Sequence, residues 1–191
     1  MALTKNESKT IYLSISDGNI VRQFKEPNER TKQRTTKTGK LVHEERFRDL
    51  TGLLTKIESR ENDFGKQLTV HFTDGSEYYA VSMPYSSRYS SSFFKAIPNV
   101  DLTQPIKLMP WSMADKNDSS KTVTGITLYQ NGNKIASAFT KDNPGEMPQM
   151  RQIKVKGKIT WDDSDMMDWL ESNAKSLLAA IKPDETADAP F

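Results

Sequence analysis

The chain has 191 residues, of which 35% are hydrophobic and 27% charged, with a net charge of +2 and no cysteine. That length allows a sizeable core in one domain with appendages. The missing cysteines exclude disulfides, thiolate chemistry and cysteine-held zinc, and no run approaches the ~18 apolar residues of a membrane span.

MALTKNESKT at the start lacks the apolar stretch of a signal peptide, so a reducing cytoplasm is the expected location. TIYLSIS (10–16) sets Ile11, Leu13 and Ile15 against Thr10, Tyr12, Ser14 and Ser16, the period of a half-buried strand. Asp17-Gly18 and NIVRQF (19–24) complete a β-hairpin. EPNERTKQRTTKTGK (26–40) carries Arg30, Lys32, Arg34, Lys37 and Lys40 with no apolar residue but Pro27, and reads as a mobile basic loop.

RDLTGLLTKIES (48–59) reads as a long strand with a bend or bulge at Gly52. NDFGKQ (62–67) is a turn, QLTVHFTD (67–74) alternates, and Asp74-Gly75 leads into SEYYAVSM (76–83). SSRYSSSFFKAI (86–97) suits a short helix, and PIKLMPW (105–111) a strand whose Pro110 favours an edge or bulge. TGITLYQ (124–130), Asn131-Gly132 and KIASAFT (134–140) form a third hairpin. QIKVKGKIT (152–160) alternates as one strand, placing Ile153, Val155 and Ile159 opposite Lys154, Lys156 and Lys158. Asp162 or Asp163 then caps a helix running to Ile181, with Met166, Leu170, Ala174, Leu177 and Ile181 at helical spacing. Pro183 stops it.

These elements predict a mainly β fold: an OB-fold-like small Greek-key barrel with an added N-terminal β-hairpin, a C-terminal α-helix and a disordered acidic tail. An open sandwich is the alternative. The expected organisation is a nucleic-acid-binding domain over 1–160, a helix over 161–182 and a tail over 183–191.

Enzyme chemistry has little to stand on. The histidines are His43 and His71 alone, with no phosphate-cradling Gly-x-x-x-x-Gly-Lys loop and no Gly-x-Ser-x-Gly elbow. His71 is expected to face outward from its strand. Asp162, Asp163 and Asp165 suggest helix capping before a metal site. No cofactor is expected.

The charge is divided along the chain. Residues 161–191 hold eight acids and two bases, while the preceding 160 residues hold 25 bases and 17 acids. A basic body with an acidic end suits a polyanion ligand and a tail that competes for the same surface; a solvated surface beside an acidic helix is the simpler reading. Non-specific single-strand binding requires cations for phosphates and flat faces for bases. Tyr12, Arg22, Phe24, Lys32, Arg34, Arg46, Arg48, Tyr78, Tyr79, Trp111, Tyr129, Lys154, Lys156 and Lys158 supply both on or beside the expected strands. Either Tyr78 or Tyr79 must face out, and Tyr129 opposes Ile126 and Leu128 in phase. Barrel-end capping by Tyr12 and Tyr129 and an edge-protecting role for the lysines are the competing readings, and Phe47 and Phe72 read as core.

DETADAPF (184–191) resembles the acidic tip of bacterial and phage single-stranded DNA-binding proteins, a family with an OB-type barrel and a disordered tail ending in Phe, often after Pro. The resemblance is specific over about eight residues. It implies that Pro190 and Phe191 enter an apolar, basic-rimmed pocket on replication or repair enzymes, with Asp184, Glu185 and Asp188 providing electrostatic attraction. The long N-terminal region and the C-terminal helix suit the phage versions, monomeric or dimeric, in the cytoplasm of a bacterial host. The expected partners are single-stranded DNA and those enzymes, with no membrane. The remaining alternatives are an RNA-binding OB protein, a virion assembly protein without nucleic-acid affinity, and a metal-dependent nuclease.

Overall fold

The computed structural model describes residues 10–36, 39–63, 65–155 and 157–181. The acidic tip, Asp184, Glu185, Asp188, Pro190 and Phe191, lies outside them, as does Lys156. The fold is mainly β with a C-terminal helix. Among the described residues no helix is long and apolar enough to cross a membrane.

β1 (Thr10–Ser16) and β2 (Asn19–Phe24) form the expected hairpin. Asp17 and Gly18 have φ of 50° and 73°, the left-handed pair that a tight two-residue hairpin turn requires. β3 (Lys32–Thr35) and β4 (Leu41–Phe47) follow, then a meander of β5 (Leu50–Asn62), β6 (Gly65–Asp74) and β7 (Glu77–Pro84). α1 (Arg88–Ala96) is capped by Ser87, whose side chain accepts the Ser90 N–H. β8 (Ile106–Ala114), β9 (Thr122–Gln130) and the two-residue β10 (Asn133–Lys134) come next. β11 (Arg151–Val155) and β12 (Lys158–Asp162) precede α2 (Ser164–Ile181).

Ten strands make one sheet in the order β10-β9-β8-β5-β6-β7-β1-β2-β4-β3. The β1–β7 pairing is parallel and the rest antiparallel. β2 stands five places from β8, about 24 Å in a flat sheet at ~4.8 Å per strand. Yet a Cβ on Gly18 would lie 2.5 Å from the backbone nitrogen of Ser112, so the sheet curls until the β1–β2 turn meets β8. The Gly18 N–H donates to the Tyr89 hydroxyl of α1 at 3.0 Å, which fixes that turn. Strand pairing does not join β9 to β7 among the described residues. β1 occupies the free edge of β7, and Ser92 of α1 accepts the Ile126 N–H of β9 at 2.7 Å.

The inner face and both helices enclose one core. Leu54, Leu68, Val70, Phe72, Val81 and Met83 of the sheet meet Phe93, Phe94 and Ile97, with Met167, Leu170 and Ala174 of α2. Burial of each of these side chains other than Ala174 contributes roughly 1.5–3 kcal/mol. α2 is also held by a polar knot. The Tyr85 hydroxyl lies 2.8 Å from Asp168 Oδ1 and 2.7 Å from Glu171 Oε2. Lys66 Nζ reaches Asp168 at 2.9 Å, and Lys175 Nζ approaches Glu171 Oε1 at 2.6 Å without a well-directed hydrogen bond. Burial pushes the Glu171 pKa up, but the Lys175 ammonium and the bonds from Tyr85 and Ser59 outweigh it and the net shift is downward. Burial first, then Glu171 and Asp168, push the Tyr85 phenol up.

Five expectations require correction. The basic stretch 26–40 contains β3, because Glu44, almost wholly buried, accepts from Arg34 Nε at 2.9 Å and Nη2 at 2.5 Å. The β5 bulge falls between Leu54 and Lys56, not at Gly52. The strand expected over 134–140 stops at Lys134: Ala138 N–H donates to the Lys95 carbonyl at 2.7 Å, and Phe139 turns onto Trp169, ring centroids 5.1 Å apart. Residues 152–160 are not one strand but most of a hairpin that turns at Gly157 (φ 83°). The buried stripe of α2 runs through Met166, Met167, Leu170, Glu171, Ala174 and Leu178, while Ile181 is exposed.

Candidate nucleic-acid interface

Registered partners on neighbouring strands share a face, so the pairing assigns each aromatic side chain to a side. Thr10 pairs with Tyr78 and Tyr12 with Ala80, placing Tyr12 and Tyr78 on the outer face as diagonal neighbours, about 7 Å apart. Tyr12 is 74% exposed and Tyr78 42%. Tyr79 faces inward beside Ile11 and donates to Glu77, which with burial pushes its phenol up to about 12.

A second aromatic pair lies on the outer face of β8 and β9. Lys107 pairs with Tyr129, Met109 with Thr127 and Trp111 with Gly125. Trp111 and Tyr129 therefore share a face, offset by four residues, about 13 Å along the strand. Lys107 and Arg48 stand beside Tyr129 in a hollow of about 480 Å³ that also includes Asp49.

Other expected residues are placed differently. Arg22 and Phe24 are on the inner face with Tyr79, and the Arg22 guanidinium sits 4.8 Å over the Phe24 ring. The neighbouring hollow of about 250 Å³ is lined by Glu45, Asp49 and Glu77 as well as Arg22 and Arg30, a mixed charge poorly suited to a phosphate chain. Arg34 and Arg46 both converge on Glu44, and Arg46 also reaches Asp17 at 3.5 Å. The Glu44 pKa is lowered, chiefly by Arg34. Lys32 remains exposed on β3.

The β11–β12 hairpin corrects the idea of a lysine ladder on one face. Lys154 pairs with Ile159, and Lys158 with Val155, so the two ammonium groups lie on opposite faces. Turning back at Gly157 inverts the phase that a continuous strand would keep. Each face combines a lysine with exposed apolar side chains: Ile159 (71%) and Trp161 (59%) on one, Ile153 and Val155 on the other. Arg151 is paired with Asp162 and Asp165, and Asp162 accepts the Ser164 N–H at the start of α2. His71 faces outward as expected, 2.9 Å from Glu58.

The sequence reading omitted Lys107, although Lys107, Met109 and Trp111 alternate with Ile106, Leu108 and Pro110, and the phase was there to read. It also omitted Trp161. Comparison with known protein families, curated proteins and solved structures finds no match to this chain.

Proposed function

We propose that this chain is a non-sequence-specific single-stranded DNA-binding protein that coats DNA in replication, recombination or repair. The observation that carries the reading is the outer face of the curled sheet. Two separate pairs of outward aromatics, Tyr12 with Tyr78 and Trp111 with Tyr129, stand on it, the second beside Lys107 and Arg48. Flat side chains beside cations hold a strand by stacking and phosphate contacts without reading its sequence.

Connectivity supports an OB-type fold as part of the proposal. β5, β6, β7, β8 and β9 are ordered β9-β8-β5-β6-β7, with α1 between the third and fourth, the arrangement of a five-stranded Greek-key barrel. In this reading β1 and β2 extend the platform, and DETADAPF recruits partner enzymes through Phe191.

Fluorescence titration with a poly-dT oligonucleotide and a matched duplex, at low and high salt, tests it. Salt-sensitive binding to the single strand and much weaker binding to the duplex is the expected result. Preference for a ribose strand would move the reading to RNA, and no binding to any strand would overturn it in favour of a protein-assembly role.

A further inference from the structure

A cavity of about 610 Å³ lies between α1 and β9. Three walls build it. The helical period puts Arg88, Ser92 and Lys95 on one face of α1, and Ser92 ties that face to β9 through the Ile126 N–H. Trp111, Thr124 and Thr127 line the sheet side, and Lys134 to Ser137 the third. The third wall is fixed to the end of α1 by Ala138 N–H on the Lys95 carbonyl, and to the 3-10 turn after it (Ile97–Asn99) by Asn99 Nδ2 on the Ala136 carbonyl at 3.0 Å.

The charge in this cavity is unbalanced. Arg88, Lys95 and Lys134 line it, and among the described residues no carboxylate does. Every ion pair among the described residues involves other cations. Lys95 is partly buried, and desolvation pulls its pKa down with no acid to oppose it. Three unpaired cations around a preformed hollow suit an anion that brings its own charge. Lys134 pairs with Tyr129 in register, so the cavity adjoins the Trp111–Tyr129 platform.

We propose that this cavity is a nucleotide-phosphate site. Arg88, Lys95 and Lys134 hold the phosphate of one nucleotide unit, and the Trp111 indole forms the wall beside its base. The inference rests on the single-strand reading and adds the point where the sugar-phosphate chain leaves the platform over the β9 edge. A phosphate inside a strand and a free mononucleotide share this chemistry.

The test compares the wild type with Arg88→Gln/Lys95→Gln/Lys134→Gln by titration of a dT oligonucleotide across a salt series and by calorimetry with thymidine 5′-monophosphate. Each phosphate left unneutralised on a single strand lowers the slope of log K against log salt by about 0.7, so the triple variant, which gives up the one phosphate that the three cations share, should lose about 0.7. A misfolded triple variant, seen by circular dichroism, is replaced by Lys134→Gln, exposed on β10, with an expected several-fold loss of affinity at low salt and a fall in slope smaller than about 0.7.

A reduced slope supports the site. Loss of monophosphate binding with it extends the site to free nucleotides, and a wild type that ignores the monophosphate restricts it to strands. An unchanged slope with strand binding intact overturns this inference and leaves the single-strand reading standing. If the wild type binds no strand, that reading fails and the monophosphate decides: bound by the wild type but not the variant, the cavity stands; bound equally or by neither, it falls.

Discussion

A Cβ placed on Gly125 would lie 2.5 Å from Cζ2 of Trp111. The indole of β8 thus lies over bare backbone of β9, pressed against the strand across from it. Gly125→Ala must tilt the ring or spread the strands, and overpacking of this kind costs about 1–3 kcal/mol. We expect a lower melting temperature, a changed tryptophan emission and a several-fold loss of single-strand affinity. Emission spectra and oligonucleotide titration of the variant check all three.

The two aromatic pairs should act separately. Base stacking on an aromatic side chain contributes about 1–3 kcal/mol by alanine substitution, so Trp111→Ala and Tyr12→Ala should each weaken binding by about 5- to 150-fold. The β1–β2 turn meets β8 at Trp111, but Tyr12 stands five residues before Asp17, about 16 Å back along β1, and distant effects add within ~0.5 kcal/mol. Tyr79→Phe, altered on the inner face, should leave affinity unchanged. A double-mutant cycle on a long dT oligonucleotide measures this.

Much of this was legible locally. Asp17-Gly18 and Asn131-Gly132 announce tight turns because few other residues accept a positive φ in succession, and all four adopt it. Outward phase for Tyr12 and Tyr129 followed from period-two alternation. The choice between Tyr78 and Tyr79 did not, because the registers of β7 with β6 and β1 decide it. Counting charges could not show that Glu44 would engage Arg34 and Arg46, since that depends on the register that sets β4 between β2 and β3 and buries this one carboxylate. The parallel β1–β7 pairing is non-local too, and Lys156-Gly157 lacks the usual hairpin signature, so the hairpin there read as a strand.

Acid should loosen the fold through Glu58, Asp168 and Glu171. Lys56 and His71 hold Glu58 down at about 2 against the opposing effect of burial, and Lys66 and Tyr85 lower Asp168. A carboxylate with a lower pKa folded than unfolded stabilises the fold when ionised in both states, and that contribution is lost as pH falls through the folded value. Stability should therefore hold above about pH 5 and decline towards pH 2. Glu58→Gln should be less stable near neutrality and should lose less on acidification. Urea midpoints measured across pH for both proteins give the comparison.

Within the polar knot, position should matter more than charge. Glu171 is 7% exposed and faces Tyr85 and Lys175. Glu171→Gln weakens the buried, charge-assisted bond from the Tyr85 hydroxyl, while Lys175, 46% exposed, is left to solvent, and the change should cost about 2 kcal/mol. The Asp168 side chain is 64% exposed, and solvent screens its ion pair with Lys66, so Asp168→Asn should cost only about 0.5 kcal/mol. Equal losses in chemical denaturation would contradict this ranking.

The β11–β12 hairpin offers the clearest separation of folding from binding. Its residues are nearly all exposed on both faces, and an isolated two-stranded hairpin adds little stability. Arg151 pairs with Asp162, so the chain ends at its base lie about 5 Å apart and a short Gly-Ser turn can replace 152–161 without moving α2. The melting temperature should change by no more than a few degrees. Single-strand affinity should fall, because Lys154, Lys156, Lys158 and Trp161 leave together, and the salt slope should drop by about 2 if all three lysines meet phosphates. Unchanged affinity and slope would show that the exposed Ile159 and Trp161 serve a partner other than the strand.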